Sequence, residues 1–361
     1  MLEEKNTKIL YLQGRPKAHP VHLKLAEQVT TNIDFVDKPI RWQDKKYTGF
    51  INSFIWIFNG IHLSLFNNHS QILVDNLHIS PIIAKKLKIY GKKTKVYVHL
   101  GSHTLFFIKE NKFGRINTLI HKWALKNYDA IICEGEMASD FVINILGPLH
   151  PNIKISFLGP LQERLNQLES IQPSLDSKNI LLIASGPSDF RLYYKGLDFM
   201  LEMFLVLIKR IPDIRFTIVG EWNKESLAMK INGIDEYFNK SLFFVGQVES
   251  VNEFISNTAL YLHMSRGDAF PTSTVEVLTA GVPCIVSDIT GTKQIIKEID
   301  QSFIVPLNQK MVIDRIESYF QMSLLEKQEL SLKCRKVASN YTLENAIIRY
   351  KEIFKELSYE Q

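Results

Sequence analysis

Short apolar runs alternate with longer amphipathic stretches along most of this chain, and that alternation restricts the fold more than any other feature. Lys8–Leu12, Ile72–Val74, Lys95–Leu100 and Ala130–Cys133 are short and nearly continuous in apolar character. Strands of a parallel sheet, buried on both faces, have this character. Between them Pro20–Thr30, Phe50–Leu65, Ser80–Tyr90, Ile116–Asn127 and Glu136–Ile145 have the length and spacing of helices. In the most apolar of these, Phe50, Phe54, Ile57, Phe58, Ile61 and Leu65 recur at helical spacing and make one face. A core-packing helix is the ordinary reading; a face dipping into a membrane is the other.

The pattern is interrupted and then resumes. Pro148 to Ser177 contains Gly147-Pro148 at its start, then Pro151, Gly159-Pro160 and Pro173 among polar residues, and reads as a linker zone. Strands at Ile180–Ala184, Arg215–Val219, Leu242–Val245, Leu260–His263 and Cys284–Ser287 follow, with helices at Leu197–Ile211, Val251–Asn257 and Ser273–Ala280. Helices at Leu324–Ser339 and Leu343–Leu357 close the chain. Strands alternating with helices at this spacing predict an α/β chain of two doubly wound domains facing across a cleft. The expected division is 1–165, 166–340, and a C-terminal helix, 341–361, that packs back on the first domain.

Composition narrows the function classes. With 361 residues, 45% hydrophobic and 22% charged, the chain can bury two cores and is not disordered. Cys133, Cys284 and Cys334 are unpaired in spacing, which argues against a disulfide framework or a zinc knuckle and for a reducing, cytoplasmic compartment. The acidic start lacks the basic flank of a secretory signal. Phe50–Phe66 is broken by polar residues and is not expected to span a membrane. The net charge of +5 is uneven: residues 1–160 hold 21 Lys/Arg against 12 Asp/Glu, and the remainder 22 against 26. Lys85, Lys86, Lys88, Lys92, Lys93 and Lys95 supply much of the excess. They read either as a solvated surface or as a contact for an anionic membrane or lipid phosphate at its inner face. Nucleic acid is disfavoured, since no aromatics interleave the basic run.

The chemistry concentrates between Ser265 and Thr292. A strand ends in a loop carrying Gly267, Asp268 and Pro271; a helix starts near Ser273, stops at Gly281-Val282-Pro283, and another strand follows. Loops at the carboxyl ends of parallel strands face the ligand crevice. A helix N-terminus there offers unpaired amides and partial positive charge, which suit a diphosphate. Asp268 and Glu276 bracket the turn and can accept hydrogen bonds from sugar and ribose hydroxyls. Each also has a plain structural reading. Ser273-x-x-Glu276 fits a capping box, and Asp268 fits an ordinary turn.

These residues resemble the retaining GT-B glycosyltransferases of family 4. That family has Glu-x7-Glu with Gly-Phe-Pro after the first acid; here Asp268 and Glu276 have the same spacing, with Ala269-Phe270-Pro271 after the first. Ala280 to Asp288, then Gly291-Thr292, continue the pattern. The resemblance implies two Rossmann-like domains, an acceptor-side one and a nucleotide-sugar-binding one, and no nucleophile of the enzyme's own. It implies that Glu276 binds the donor ribose, and that Asp268 binds the transferred sugar with help from the backbone of Ala269, Phe270, Pro271, Thr272 and Ser273. Asp268 is one methylene shorter than the family's Glu, which bears on sugar preference. Lys195-Gly196-Leu197-Asp198 resembles the family's Lys-Gly-x-Asp helix start, whose lysine holds the donor diphosphate. The arginine usual five residues earlier is Phe190 here, with Arg191 next to it. Gly220-Glu221 and Val245 to Val248 match strand ends.

Gly14, in Gly14-Arg15-Pro16-Lys17-Ala18-His19, stands where the family has a glycine loop near the donor phosphates. It is not a dinucleotide fingerprint. His99, at the end of a strand, corresponds to a histidine near the transferred sugar, with His103 as the other holder of that role. The expected function is transfer of a sugar from a UDP- or GDP-type donor to a hydroxyl of a glycan or lipid-linked acceptor, with retention, without cofactor or metal, in polysaccharide biosynthesis. A catalytically inactive sugar-nucleotide-binding partner subunit is the alternative, and an epimerase a third reading.

Overall fold

A computed structural model describes residues 8–12, 20–30, 32–36, 69–91, 93–147 and 151–359. Gly14, Lys92 and the stretch 50–65 lie outside the described residues. The chain divides into two compact units, Met1–Phe157 with Glu344–Gln361, and Leu158–Leu343. The first boundary falls after Phe157, not after residue 165.

The N-terminal unit holds a six-stranded parallel sheet of β1 (Ile9–Leu12), β2 (Ile33–Val36), β3 (Gln71–Asp75), β4 (Lys95–Leu100), β5 (Ala130–Glu134) and β6 (Asn152–Ser156). Its order is β2-β1-β3-β4-β5-β6. Every residue of β1, β3 and β5 is buried, because a central parallel strand is covered on both faces. Each fully buried Leu or Ile there contributes about 1.5–3 kcal/mol. Tyr97 and Phe354 meet edge to face at 6.0 Å, so the closing helix Leu343–Tyr359 buries its apolar side on this sheet.

The second unit repeats the design. Its strands are β7 (Asn179–Ile183), β8 (Arg215–Val219), β9 (Leu242–Gly246), β10 (Leu260–His263), β11 (Cys284–Ser287) and β12 (Ile304–Val305). They are ordered β12-β11-β10-β7-β8-β9, all parallel. The chain winds from β7 outward through β8 and β9, then returns to lay β10 on the other side of β7. The carboxyl ends of β7 and β10 therefore flank a topological switch point, where open α/β sheets leave a crevice. In the first unit the corresponding reversal lies between β1 and β3.

One expectation needs correction. The supposed linker at 148–177 carries β6 and a helix, Gln162–Glu169, that buries Leu165 and Leu168. Asp189–Lys195 is a further short helix, capped by the Ser188 hydroxyl accepting from the Arg191 amide. Among the described residues no helix is long and apolar enough to cross a membrane.

Candidate functional site

The loop after β10 is held by its own hydrogen bonds. The Ser287 hydroxyl donates to the Ser265 carbonyl at 2.6 Å, and Thr290 Oγ1 lies 2.8 Å from Ser265 Oγ. All three residues are fully buried. The Asp268 amide donates to Ser265 Oγ at 3.2 Å, and the Asp268 carbonyl accepts from the Gly291 amide at 2.8 Å. Asp268 is thus held on both sides of its Cα. Ser287 and the Gly291 segment, read in sequence as pattern continuation, hold this loop in place.

The loop after β7 is tied to the same place. The Arg266 amide donates to the Tyr194 carbonyl, and Tyr194 Oη donates to the Gly267 carbonyl at 2.8 Å. Arg266 also reaches Asp198 at 2.7 Å and lies over the Tyr193 ring. Asp198, the last residue of the Lys-Gly-x-Asp match, thereby anchors one loop to the other. Gly196 is required between them: its φ is +72°, and a Cβ would sit 1.9 Å from the Met264 carbonyl oxygen.

At this junction the Lys195 ammonium donates to Asp268 Oδ2. His263 Nε2 lies 3.2 Å from the same oxygen. Tyr261 Oη is 3.4 Å from His263 Nδ1 and 3.0 Å from Ser273 Oγ. One chain of polar groups therefore runs from Ser273 through Tyr261, His263 and Asp268 to Lys195. Burial alone would raise the Asp268 carboxyl, but Lys195 and His263 outweigh it and hold it well below the usual range. Burial is the main cause that lowers His263, so it is neutral at pH 7, with the Nε2 proton facing Asp268. His263 ends β10, and sequence reasoning missed it. The same strand-end position that singled out His99 applies to it.

The helix Thr272–Thr279 begins beside this chain. Its N-cap is Pro271, and no side chain caps it; the Thr274 amide donates to the Pro271 carbonyl at 2.9 Å, which leaves the amides of the first two residues to suit an anion. The capping-box reading is overturned: Ser273 lies inside the helix, bonded to Tyr261, and Glu276 pairs with Arg164 Nε at 3.0 Å. Both Arg164 and Glu276 are about a fifth exposed. Arg164 also donates to Asn252 and to Gln167. It was not singled out in sequence, because it stands in the stretch read as linker. Ala269, Phe270 and Pro271 are buried, with Phe270 against Tyr341 at 6.2 Å; Thr272 and Ser273 are half-buried.

Arg191 stands one turn before Lys195 on the same helix, and both cations flank the Tyr194 ring at about 6 Å. Arg191 Nη2 donates to the Ser185 carbonyl at 3.2 Å. Gly220 follows β8 with φ +128°; a Cβ there would meet the Ala184 carbonyl oxygen at 2.1 Å. Lys195, Arg191, Asp268, Ser273, Glu276 and Gly220 thus all lie on the loops and short helices that follow strand ends of one sheet.

His99 belongs to a separate cluster in the N-terminal unit. There His22 Nδ1 lies 3.0 Å from Asp75 Oδ1 and His22 Nε2 2.9 Å from Glu134 Oε1. His99 Nε2 is 3.7 Å from that oxygen, and its ring is 4.6 Å from His22 and 5.4 Å from Tyr350. Asp75 and Glu134 end β3 and β5, so this cluster occupies the strand ends of its own sheet. Burial alone would lower His22, but Glu134 and Asp75 outweigh it and push it up to about 9. His22, His99 and Glu134 also bring ligand atoms within 4.8 Å of one another, a grouping no sequence spacing announced. At neutral pH a proton lies between His22 and Glu134, and a metal ion would have to displace it. His103 sits on the next helix, exposed and against Phe107 at 4.9 Å. Gly14 lies outside the described residues.

The family described as Glycosyl transferases group 1 matches residues 173–340. An uncharacterized glycosyltransferase of Haemophilus influenzae is 26% identical over 192 residues, 50% of this chain and 49% of its own. The UDP-Gal:alpha-D-GlcNAc-diphosphoundecaprenol alpha-1,3-galactosyltransferase of Escherichia coli is 22% identical over 153 residues, 41% of this chain and 38% of its own. The chain spans about half the length of the curated relatives it matches, or less. Among solved structures, sucrose-phosphate synthase from Thermosynechococcus elongatus shares the fold with a TM-score of 0.72 at 15% identity, covering 98% of this chain and 100% of its own. Residues 173–340 are thus similar to glycosyl transferases group 1, within a chain built of the two Rossmann-like units of the GT-B fold.

Proposed function

We propose that the protein transfers a sugar from a nucleotide-diphosphate-sugar to a hydroxyl of a glycan or lipid-linked acceptor, with retention at the anomeric carbon and without metal or cofactor. The observation that carries this reading is the meeting of Lys195 and Asp268 at the switch point, beside the uncapped start of the helix Thr272–Thr279. The helix amides and the Lys195 ammonium face the donor diphosphate and stabilise the charge that develops as it leaves. Arg191 adds a second cation one helical turn away. Asp268, held anionic, accepts from hydroxyls of the sugar, and Glu276, aligned by Arg164, accepts from the ribose.

In the transfer step the bond between the anomeric carbon and the diphosphate oxygen breaks. A bond to the acceptor oxygen forms on the same face, and the acceptor proton passes to the departing phosphate oxygen. The donor is of UDP or GDP type; the UDP type and a lipid-linked acceptor agree with the Escherichia coli relative, which is named for UDP-Gal and a diphosphoundecaprenol substrate. A reducing, cytoplasmic setting fits three cysteines that are all free and buried, and a role in polysaccharide biosynthesis would follow from a glycan or lipid-linked acceptor.

The test is a thermal-shift panel of nucleoside diphosphates and their sugars, followed by turnover of the Lys195→Ala and Glu276→Ala variants with the best donor. A binding nucleotide raises the melting point by mass action. Near wild-type turnover in both variants would sink the assignment.

A further inference from the structure

The helix Arg115–Lys126 of the N-terminal unit turns its most apolar side outward. Thr118, Ala124 and Leu125 are its buried residues, where it packs on the helices Ser102–Lys109 and Glu136–Leu146. On the opposite side Ile116 is 75% exposed, Leu119 66%, Ile120 38% and Trp123 41%. At helical spacing these four side chains fall within an arc of about 100°. Surface apolar residues scattered singly need no explanation, but a contiguous stripe of this kind marks a contact surface.

The charges beside the stripe say what it contacts. From Lys109 to Lys126 the chain carries Lys109, Lys112, Arg115, Lys122 and Lys126 against Glu110 alone. Arg115, Lys122 and Lys126 line one flank of the stripe, by the same helical spacing. Arg115 stands in the first turn, where a cation opposes the helix dipole; the N-cap Gly114 supplies no side-chain acceptor, and no acid occupies that turn. Helix stability therefore does not account for Arg115. A second copy of the chain docked by a two-fold axis would bring these cations against themselves, a like-charge contact that disfavours it. An apolar face with Trp at its middle and cations along its flank matches the boundary between acyl chains and anionic headgroups.

We infer that the helix Arg115–Lys126 docks this protein on an anionic phospholipid surface, with Ile116, Leu119, Ile120 and Trp123 entering the headgroup boundary and Arg115, Lys122 and Lys126 meeting lipid phosphates. This moves the membrane contact away from the lysines of 85–95. There Lys85 is tied to Asp129 at 2.8 Å and to the Asn127 carbonyl, and Lys95 lies 3.9 Å from the same carboxylate. The inference stands apart from the sugar-transfer reading, because no donor-site residue takes part in it.

The experiment is co-sedimentation of the full chain with vesicles of phosphatidylcholine alone and of phosphatidylcholine mixed with phosphatidylglycerol. Trp123 emission is read as the difference between wild type and Trp123→Phe. Binding to the anionic vesicles only, with a blue shift of Trp123 and release by salt, is the expected result. The Ile116→Ser/Leu119→Ser/Ile120→Ser variant and the Lys122→Glu/Lys126→Glu variant each weaken binding by about tenfold or more. Lys86→Glu/Lys88→Glu changes it little. Unchanged melting points show that the variants fold, and if the serine variant does not, the charge reversal carries the test. Equal binding to neutral vesicles, no binding, or wild-type binding by the charge-reversal variant overturns the inference. So does a serine variant that alters the oligomeric state but not vesicle binding, since the face is then a contact between proteins.

Discussion

Lys195 and Asp268 are 73 residues apart in sequence, yet the ammonium of one donates to the carboxylate of the other. The pairing follows from strand order: β7 and β10 are neighbours, so the segments leaving their carboxyl ends converge. The two charges satisfy one another, and their side chains are only 13% and 14% exposed. On the proposed reading, a donor diphosphate competes with Asp268 for the same ammonium.

Asp268→Asn separates these roles. The amide no longer neutralises Lys195, so a nucleoside diphosphate binds at least as tightly as to wild type, while turnover falls by about 100-fold. Calorimetry with the diphosphate alone, beside a turnover assay, reads the two effects independently. Weaker diphosphate binding would contradict the competition.

Arg164 acts through Glu276. On the proposed reading, Arg164→Ala leaves the carboxylate free to rotate, and donor affinity falls by about tenfold, a change of about 1.4 kcal/mol. Arg164→Lys recovers only part of it, because an ammonium lacks the planar fork that reaches Glu276, Gln167 and Asn252 together. Affinity equal to wild type in Arg164→Ala would remove this positioning role.

The His22 cluster gives the N-terminal unit a pH dependence of known sign. His22 is raised from 6.5 to about 9 in the folded chain, so its stabilising contribution is complete below about pH 6.5 and is lost as pH rises through about 9. Thermal melts across that window should show a falling transition. In His22→Gln that slope disappears. Stability also drops, by about 3–5 kcal/mol, because two buried carboxylates lose their counter-charge.

Gly196 and Gly233 both have positive φ, at +72° and +77°, but only Gly196 is crowded. Gly233→Ala should cost about 1–2 kcal/mol for the left-handed backbone alone. Gly196→Ala adds a collision with the Met264 carbonyl and should lose about 3 kcal/mol or more. Urea unfolding of the two variants makes the comparison; equal losses would mean that the junction of the two loops yields easily.

The sequence was most legible where strands are buried on both faces. β10 and β11 match their expected bounds, since an unbroken apolar run has one sensible place in a parallel sheet. The strands it did not reveal, β2, β6 and β12, are edge strands in part exposed to solvent, and their mixed composition resembles loop. Asp268 and Glu276 were legible because a motif spaces them locally. Arg164 and the grouping of His22, Asp75 and Glu134 were not, because tertiary folding brings them together from segments with no shared pattern. The Ser273-Glu276 spacing also misled: the chain enters its helix after Pro271, and the true capping box is Ser323 with Glu326.

The neighbouring positions of β7 and β10 have a kinetic consequence. No fragment that ends before Leu260 can hold the loop after β7 in place, since β10 is the partner that aligns it. Closing so long an intervening segment is slow compared with forming the helices on either side. On the proposed reading, nucleotide binding should therefore appear late during refolding, after most helical signal has returned, and its onset would time the docking of β10 against β7.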